Sequence, residues 1–181
     1  MQHANEMIDK EHHLDLNELK NSMHLLRKQL FSDDITECKN RLWLLKEKLK
    51  NNETFNDFGF LVSIRVSDYD KIVQEYESNV GNRLLKQVSD YMIRYMKDNC
   101  IRNDIVRYSE DNFLIFIYDL NEDEIEEQMV NIQNGISNYK FKHRSRMFQL
   151  TCHFAVMQYI ENEPFSSVLD ALDQKLFENT V

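Results

Sequence analysis

Apolar residues recur at intervals of three and four near the start of the chain, and this spacing places them on one face of a helix. The set comprises Leu16, Leu19, Met23, Leu26 and Leu30. Their pattern is that of a short coiled coil, although two heptads also suit a helix that packs on its own domain. Two interpretations therefore stay open: an amphipathic helix of a single chain, or a parallel signalling stalk that joins two copies.

Further along the chain, short apolar runs typical of strands alternate with longer amphipathic runs typical of helices. Strands are predicted over 59–66, 104–108, 113–118 and 148–159, and helices over 71–98, 122–139 and 166–177. The four polar residues between the second and third strands indicate a hairpin. This order predicts an α+β fold with a mainly antiparallel central sheet flanked by helices.

Another helix is expected between the N-terminal helix and the first strand. Ser32 or Asp33 would cap it, because both side chains accept hydrogen bonds from the free N–H groups of a first helical turn. Its apolar face would comprise Leu42, Leu45 and Leu49.

Composition narrows the classes of function. The net charge of −9 opposes binding to nucleic acid, since that affinity comes mainly from Lys and Arg side chains that neutralise phosphates. The basic run at 140–146 is interpreted as a solvated loop in preference to a nucleic-acid patch. No apolar run approaches the roughly 20 residues of a membrane span, so we expect a cytoplasmic protein without one. Three widely spaced cysteines indicate neither a disulfide framework nor a zinc site.

Residues 107–113 read Arg-Tyr-Ser-Glu-Asp-Asn-Phe and are followed by an apolar strand. This segment resembles the GGDEF hairpin of diguanylate cyclases. Ser109 and Glu110 stand where that family has two glycines, and Asp111, Asn112 and Phe113 stand in its Asp, Glu and Phe places.

Three further blocks resemble the same family and follow its order. The matching positions are Asp34, Thr36, Asn40 and Arg41 in the opening segment, Tyr69, Ile72, Tyr76, Gly81 and Leu85 after the first strand, and Asp173, Leu176 and Phe177 in the closing helix. The resemblance implies the palm-like fold of nucleotide cyclases. It also divides the chain into an N-terminal stalk helix over 1–33 and a degenerate GGDEF domain over 34–181.

The resemblance further implies a chemistry that several residues of this chain do not suit. The family joins two GTP molecules with divalent metal, which needs converging carboxylates. Arg65 stands in the place of the first metal-binding Asp, while Val73 and Asn82 stand where the family reads guanine with Asn and Asp. We therefore expect no catalytic residue, no metal and no cofactor. We predict an ion pair between Arg65 and Asp111, with Arg65 as a metal-free phosphate clamp as the rival interpretation.

Three hypotheses of function follow. The first is an inactive signalling or scaffolding module that forms a homodimer through its N-terminal helix and docks a protein partner or a neighbouring domain. The second is a regulatory sensor that binds GTP or cyclic di-GMP without turnover. The third is an active cyclase that uses Asp68 and Asp70 with Asp111. The family's product-inhibition motif is Arg-x-x-Asp, whereas Arg102 and Asp104 are two residues apart instead of three. We therefore do not expect cyclic di-GMP to bind there.

Overall fold

The structure is a computed structural model that describes residues 2–67, 69–76 and 78–179, with side chains from residue 16 onward. Its elements are α1 Gln2–Phe31, α2 Arg41–Trp43, a π-helical turn Leu44–Lys48, β1 Gly59–Val66, α3 Tyr69–Tyr76, α4 Ser78–Asp98, β2 Asn103–Arg107, β3 Asn112–Ile117, α5 Glu122–Asn138, β4 Lys140–His143, β5 Arg146–Gln149, β6 Cys152–Tyr159 and α6 Phe165–Glu178. None of the helices described is long and apolar enough to cross a lipid bilayer.

Four strands form the central sheet in the order β2-β3-β1-β6, and every neighbouring pair is antiparallel. Side chains alternate between the two faces, as the strand repeat requires. Val62 and Ile64 pack with α4 and α5, whereas Leu61 packs with α6 and the residues around Trp43. The predicted α+β fold with an antiparallel sheet flanked by helices is confirmed.

The single helix predicted over 71–98 is wrong, because the structure has two helices that pack against each other. A Cβ atom on Gly81 in α4 would lie 2.7 Å from Val73 Cγ2 and 2.8 Å from Tyr69 Cε2 in α3. In one straight helix, residues eight positions apart would be separated by about 12 Å along the axis. The apolar spacing continues through both helices, so the pattern alone did not reveal the change of direction.

The interpretation of 140–146 as a solvated loop is also wrong. These residues form most of the β4–β5 hairpin, in which Phe141 and His143 are buried and the intervening Lys142 is exposed. The strand predicted over 148–159 correspondingly divides into the end of β5 and all of β6. Gln87 of α4 holds β4 by donating to Lys142 O and accepting from Lys142 N.

The predicted helix after α1 is shorter and begins later than expected. Asn40 caps α2 by accepting from Trp43 N at 3.0 Å. Asp33 does not cap it and instead accepts both the N–H and the hydroxyl of Thr36, at 2.8 and 2.7 Å. Of the predicted apolar face, only Leu49 is buried.

The buried apolar residues of this segment are Trp43, Leu44 and Leu49, whereas Leu42 is half-buried and Leu45 is exposed. A π-helical turn has more residues per turn than the α-helix assumed in the prediction. The residues that face the core therefore shift along the chain.

Side chains cover the free edge of the sheet along β6. Gln133 donates to Cys152 O, Asn179 to Phe154 O and Lys175 to Val156 O, at distances from 2.7 to 3.1 Å. An edge strand with free carbonyl groups can pair with another chain. These three contacts occupy acceptors on β6 and so oppose that pairing.

The buried Lys48 packs against the end of β3. The side chain of Lys48 is 7% exposed, and its Nζ donates to Asp57 Oδ2 at 2.7 Å. The same ammonium lies 4.5 Å from the ring centre of Tyr118 and 5.1 Å from that of Phe116. Cation–π contacts such as these are stronger when water is excluded.

We expect Lys48→Ala to lower the free energy of unfolding by about 2–3 kcal/mol, because it removes a partly buried hydrogen bond to a carboxylate together with the cation–π contacts to two rings. Urea denaturation measures the change. Lys50→Ala is the matched control, since Lys50 pairs with Glu161 at an exposed position and should change stability by about 0–1 kcal/mol. Equal effects of the two substitutions would show that the buried position of Lys48 contributes nothing.

Candidate functional site

The turn between β2 and β3 lies beside the end of β1. Tyr108 N and Ser109 N both donate to Asn112 O, at 3.0 and 3.2 Å, and so close the turn. Val66 N donates to Asp111 O at 2.9 Å, which attaches the turn to β1. These backbone contacts bring Asp111 close to Arg65.

Arg107 stabilises the turn by hydrogen bonds to its backbone. Its Nε donates to Ser109 O at 3.2 Å and its Nη2 donates to Glu110 O at 3.0 Å. The remaining nitrogen, Nη1, lies 3.8 Å from Asp33 Oδ1, and the side chain is only 9% exposed. One guanidinium group therefore joins the hairpin turn to the segment that follows α1.

Arg65 lies between two carboxylates. Its Nε is 3.8 Å from Asp111 Oδ2, and its Nη2 donates to Asp173 Oδ1 of α6 at 3.1 Å. The Arg65 and Asp111 side chains are 44% and 29% exposed, so solvent screens their attraction. The sequence did not place Asp173 here, since it lies 108 residues from Arg65 along the chain.

The amide of Asn112 faces the protein interior. The residue is 3% exposed, and its Oδ1 accepts from Ser63 Oγ at 3.0 Å. Phe113, the next residue, is fully buried in the sheet, whereas Ser109 and Glu110 are exposed. Asn112 thus uses its side-chain oxygen within the fold and does not present it to solvent beside Asp111.

Val73 and Asn82 lie on the two packed helices α3 and α4. Asn82 Oδ1 accepts from the Tyr69 hydroxyl at 3.4 Å, while Val73 packs against Gly81. Burial raises the pKa of Tyr69, and the nearby charge of Arg107 opposes that increase. Tyr69 therefore stays protonated at neutral pH and keeps its hydroxyl as a donor to Asn82.

The opening segment connects α1 to the hairpin. Asn40 Nδ2 donates to Leu30 O and Ser32 O, at 2.8 and 3.1 Å, at the end of α1. The guanidinium carbon of Arg41 lies 4.7 Å from the ring centre of Tyr108. The sequence identified Asn40 and Arg41 only as matching positions, and the contacts show that both join the N-terminal helix to the site.

Comparison with a protein-family model assigns this chain to a family. The model for the diguanylate cyclase GGDEF domain matches residues 30–180. The chain belongs to the GGDEF domain family. This confirms the resemblance seen in the four sequence blocks.

Solved structures share the fold at low identity. The FimX GGDEF domain from Pseudomonas aeruginosa has 16% identity and a TM-score of 0.65, over 81% of this chain and 90% of that one. Diguanylate cyclase SiaD from the same organism, in complex with its activator SiaC, has 13% identity and a TM-score of 0.70, over 99% of this chain and 74% of that one.

A third solved structure comprises the coiled coil and GGDEF domain of DgcB from Caulobacter crescentus in complex with c-di-GMP. It has 13% identity and a TM-score of 0.69, over 92% of this chain and 89% of that one. No curated protein matches the chain.

The residues beside the GGDEF turn do not fit a divalent metal. Such a metal takes converging carboxylate oxygens, whereas here the cationic Arg65 lies within salt-bridge distance of Asp111 and Asp173. Among side chains 16–67, 69–76 and 78–179, no three His, Cys, Asp or Glu residues are grouped as metal ligands. Asp68 lies outside the described residues, and Asp70 is exposed at the start of α3.

Arg102 and Asp104 border a cavity of about 440 Å³ between the C-terminal part of α4 and the start of β2. Both side chains contact other groups of the chain. The Tyr118 hydroxyl donates to Asp104 Oδ2 at 2.7 Å, and Arg102 Nη1 lies 3.8 Å from Asp119 Oδ1. Both side chains are thus directed towards the residues that follow β3.

We expect Arg107→Lys to lower the free energy of unfolding by about 1–2 kcal/mol, since a single ammonium does not reproduce the planar fork that donates to Ser109 O and Glu110 O. Thermal and urea denaturation measure the loss. Arg102→Lys is the control, because Arg102 is 72% exposed and its exposed ion pair contributes little. A loss for Arg102→Lys as large as for Arg107→Lys would contradict the assigned role.

Proposed function

We propose that this chain is a GGDEF domain that makes no cyclic di-GMP and acts as a signalling or scaffolding module. It dimerises through its N-terminal helix and docks a protein partner or a neighbouring domain. The observation that carries the proposal is the position of Arg65, whose guanidinium contacts Asp111 and Asp173 beside the GGDEF turn.

The charge at this position opposes the chemistry of a cyclase. Activation of a hydroxyl nucleophile and of a phosphate by metal requires anionic ligands that hold the cation. In the proposal, the ion pair of Arg65 with Asp111 fills the place of that metal. Asn112 adds no anionic ligand, because its neutral amide is buried against Ser63.

The residues at the guanine-reading places support the same proposal. Val73 has neither a donor nor an acceptor in its side chain. Asn82 already accepts a hydrogen bond from Tyr69. In addition, Glu110 adds a negative charge to the turn, where it would repel a triphosphate.

The exposed face of α1 supports dimerisation by a second copy of this chain. Its five residues, namely Leu16, Leu19, Met23, Leu26 and Leu30, are 50–65% exposed. Their a/d spacing matches a two-stranded coiled coil, in which each helix buries this face against its partner. The division into a stalk helix over 1–33 and a GGDEF domain over 34–181 belongs to this proposal.

Two structural neighbours support the proposal that this chain acts through protein–protein interactions. The DgcB structure comprises a coiled coil and a GGDEF domain. The SiaD structure holds an activator protein, SiaC, and it covers 99% of this chain. By analogy, the helix of this chain would join two copies and leave the domain surface free for a partner.

We expect the purified protein to form no cyclic di-GMP from GTP and Mg²⁺, because the site holds a guanidinium where metal ligands are needed. Chromatography of the reaction mixture measures the product, with a diguanylate cyclase as the positive control. Asp111→Asn is the matched variant that separates the activity of this site from that of a contaminant.

Product made by the wild type and lost in Asp111→Asn would contradict the proposal and favour the active cyclase that uses Asp68 and Asp70. GTP or cyclic di-GMP that binds without product would favour the regulatory sensor. For GTP, perturbed NMR signals at Val73 and Asn82 would locate that binding.

We expect Leu26→Lys to shift the protein from dimer to monomer, since it puts a charge in the centre of the coiled-coil face. Sedimentation equilibrium over a range of concentrations measures the dissociation constant, and we expect it to rise by about tenfold or more. The control is Leu25→Lys, the same change at the adjacent residue, which is 60% exposed and lies off the a/d stripe. A wild-type protein that stays monomeric, or equal effects of the two variants, would overturn dimerisation through α1.

A further inference from the structure

A second cavity lies between the packed helices α3 and α4 and the turn of the β4–β5 hairpin. Its volume is about 560 Å³, within the range typical of small-molecule sites. Tyr76 and Val80 form the helical wall, and His143, Arg144 and Arg146 form the hairpin wall. None of the residues of the GGDEF turn lines it.

The hairpin concentrates positive charge on this cavity although the whole chain carries −9. Within the described residues, neither Arg144 nor Arg146 has a salt-bridge partner. The guanidinium carbon of Arg146 lies 4.8 Å from the ring centre of Tyr76, which holds that cation at the cavity wall. Glu75 is the one carboxylate among the lining residues.

His143 supplies an independent observation. The residue lines the cavity, is 9% exposed, and its buried Nδ1 has no hydrogen-bond partner among the described residues. Buried polar atoms in folded proteins are nearly always paired. The unpaired Nδ1 of His143 thus lies in the cavity wall beside Arg144 and Arg146, and the site has polar capacity that the described residues do not satisfy.

We propose that this cavity binds a small organic molecule that carries a phosphate monoester. The planar guanidinium groups of Arg144 and Arg146 match the oxygens of a phosphate, to which arginine donates paired hydrogen bonds. Tyr76 and Val80 offer apolar surface to the organic part. The site lies outside the GGDEF turn, so this inference goes beyond the proposed function and does not depend on it.

Two lysines of the same hairpin offer a matched control, because they lie on the face of β4 opposite to the buried His143. Lys140 and Lys142 are exposed and alternate with the buried Phe141 and His143. Removing these two charges lowers the overall positive charge of the hairpin as much as removing Arg144 and Arg146 does. The difference between the two pairs therefore reports the cavity and not the general field of the hairpin.

The experiment is a titration of the isotope-labelled protein with phenyl phosphate and with inorganic phosphate in magnesium-free buffer, followed by NMR. We expect saturable shifts at 143–146 and Tyr76, with phenyl phosphate bound more tightly than inorganic phosphate. The double variant Arg144→Gln/Arg146→Gln should weaken phenyl phosphate binding by about tenfold or more. The double variant Lys140→Gln/Lys142→Gln should keep the affinity within about twofold.

Three outcomes would overturn the proposal. They are the lack of saturable shifts at the hairpin, shifts confined to the turn at 108–112, and equal weakening in the two double variants. The substituted arginines are exposed, so folding should persist, and unchanged signals from the central sheet will verify it in each variant.

Discussion

The site depends on the guanidinium group of Arg107. This side chain is almost fully buried, donates to two carbonyl groups of the hairpin turn and lies near Asp33 after α1. A planar fork with several fixed donors is suited to this task, because it meets two acceptors without changing its own shape. The direction of the turn, and therefore the position of Asp111, follows from it.

A continuous set of contacts leads from this group to the N-terminal helix. Asn40 binds the last carbonyl groups of α1 and caps α2, and the adjacent Arg41 stacks on Tyr108 of the turn. The helix proposed to join two copies is thus held to the hairpin through side chains of one short segment. A change in the direction of α1 would act on the turn through Asn40, Arg41 and Arg107, which gives the proposed module a physical route between its two ends.

Prediction from sequence succeeded where burial alone specifies the structure. Strand β1 was predicted with the bounds that the structure has, because a central strand is buried on both faces and reads as one apolar run. Prediction from sequence failed where one apolar pattern is compatible with more than one arrangement of the backbone. The apolar spacing through α3 and α4 suits one helix or two, and only the close packing of Gly81 on Val73 and Tyr69 distinguishes them.

By itself, the sequence determined the family, the α+β class and the identities of the unusual residues at the hairpin, since these depend on residue type and order. The tertiary structure decided which charges meet. Asp173 reaches Arg65 across 108 residues, and Asn112 turns inward to Ser63. The tertiary structure also formed the basic β4–β5 hairpin in a segment for which the sequence indicated a loop. It placed His143 of this hairpin in the cavity next to Val80 of α4. Contacts between distant residues arise only when the sheet and helices pack, and no local pattern encodes their distances.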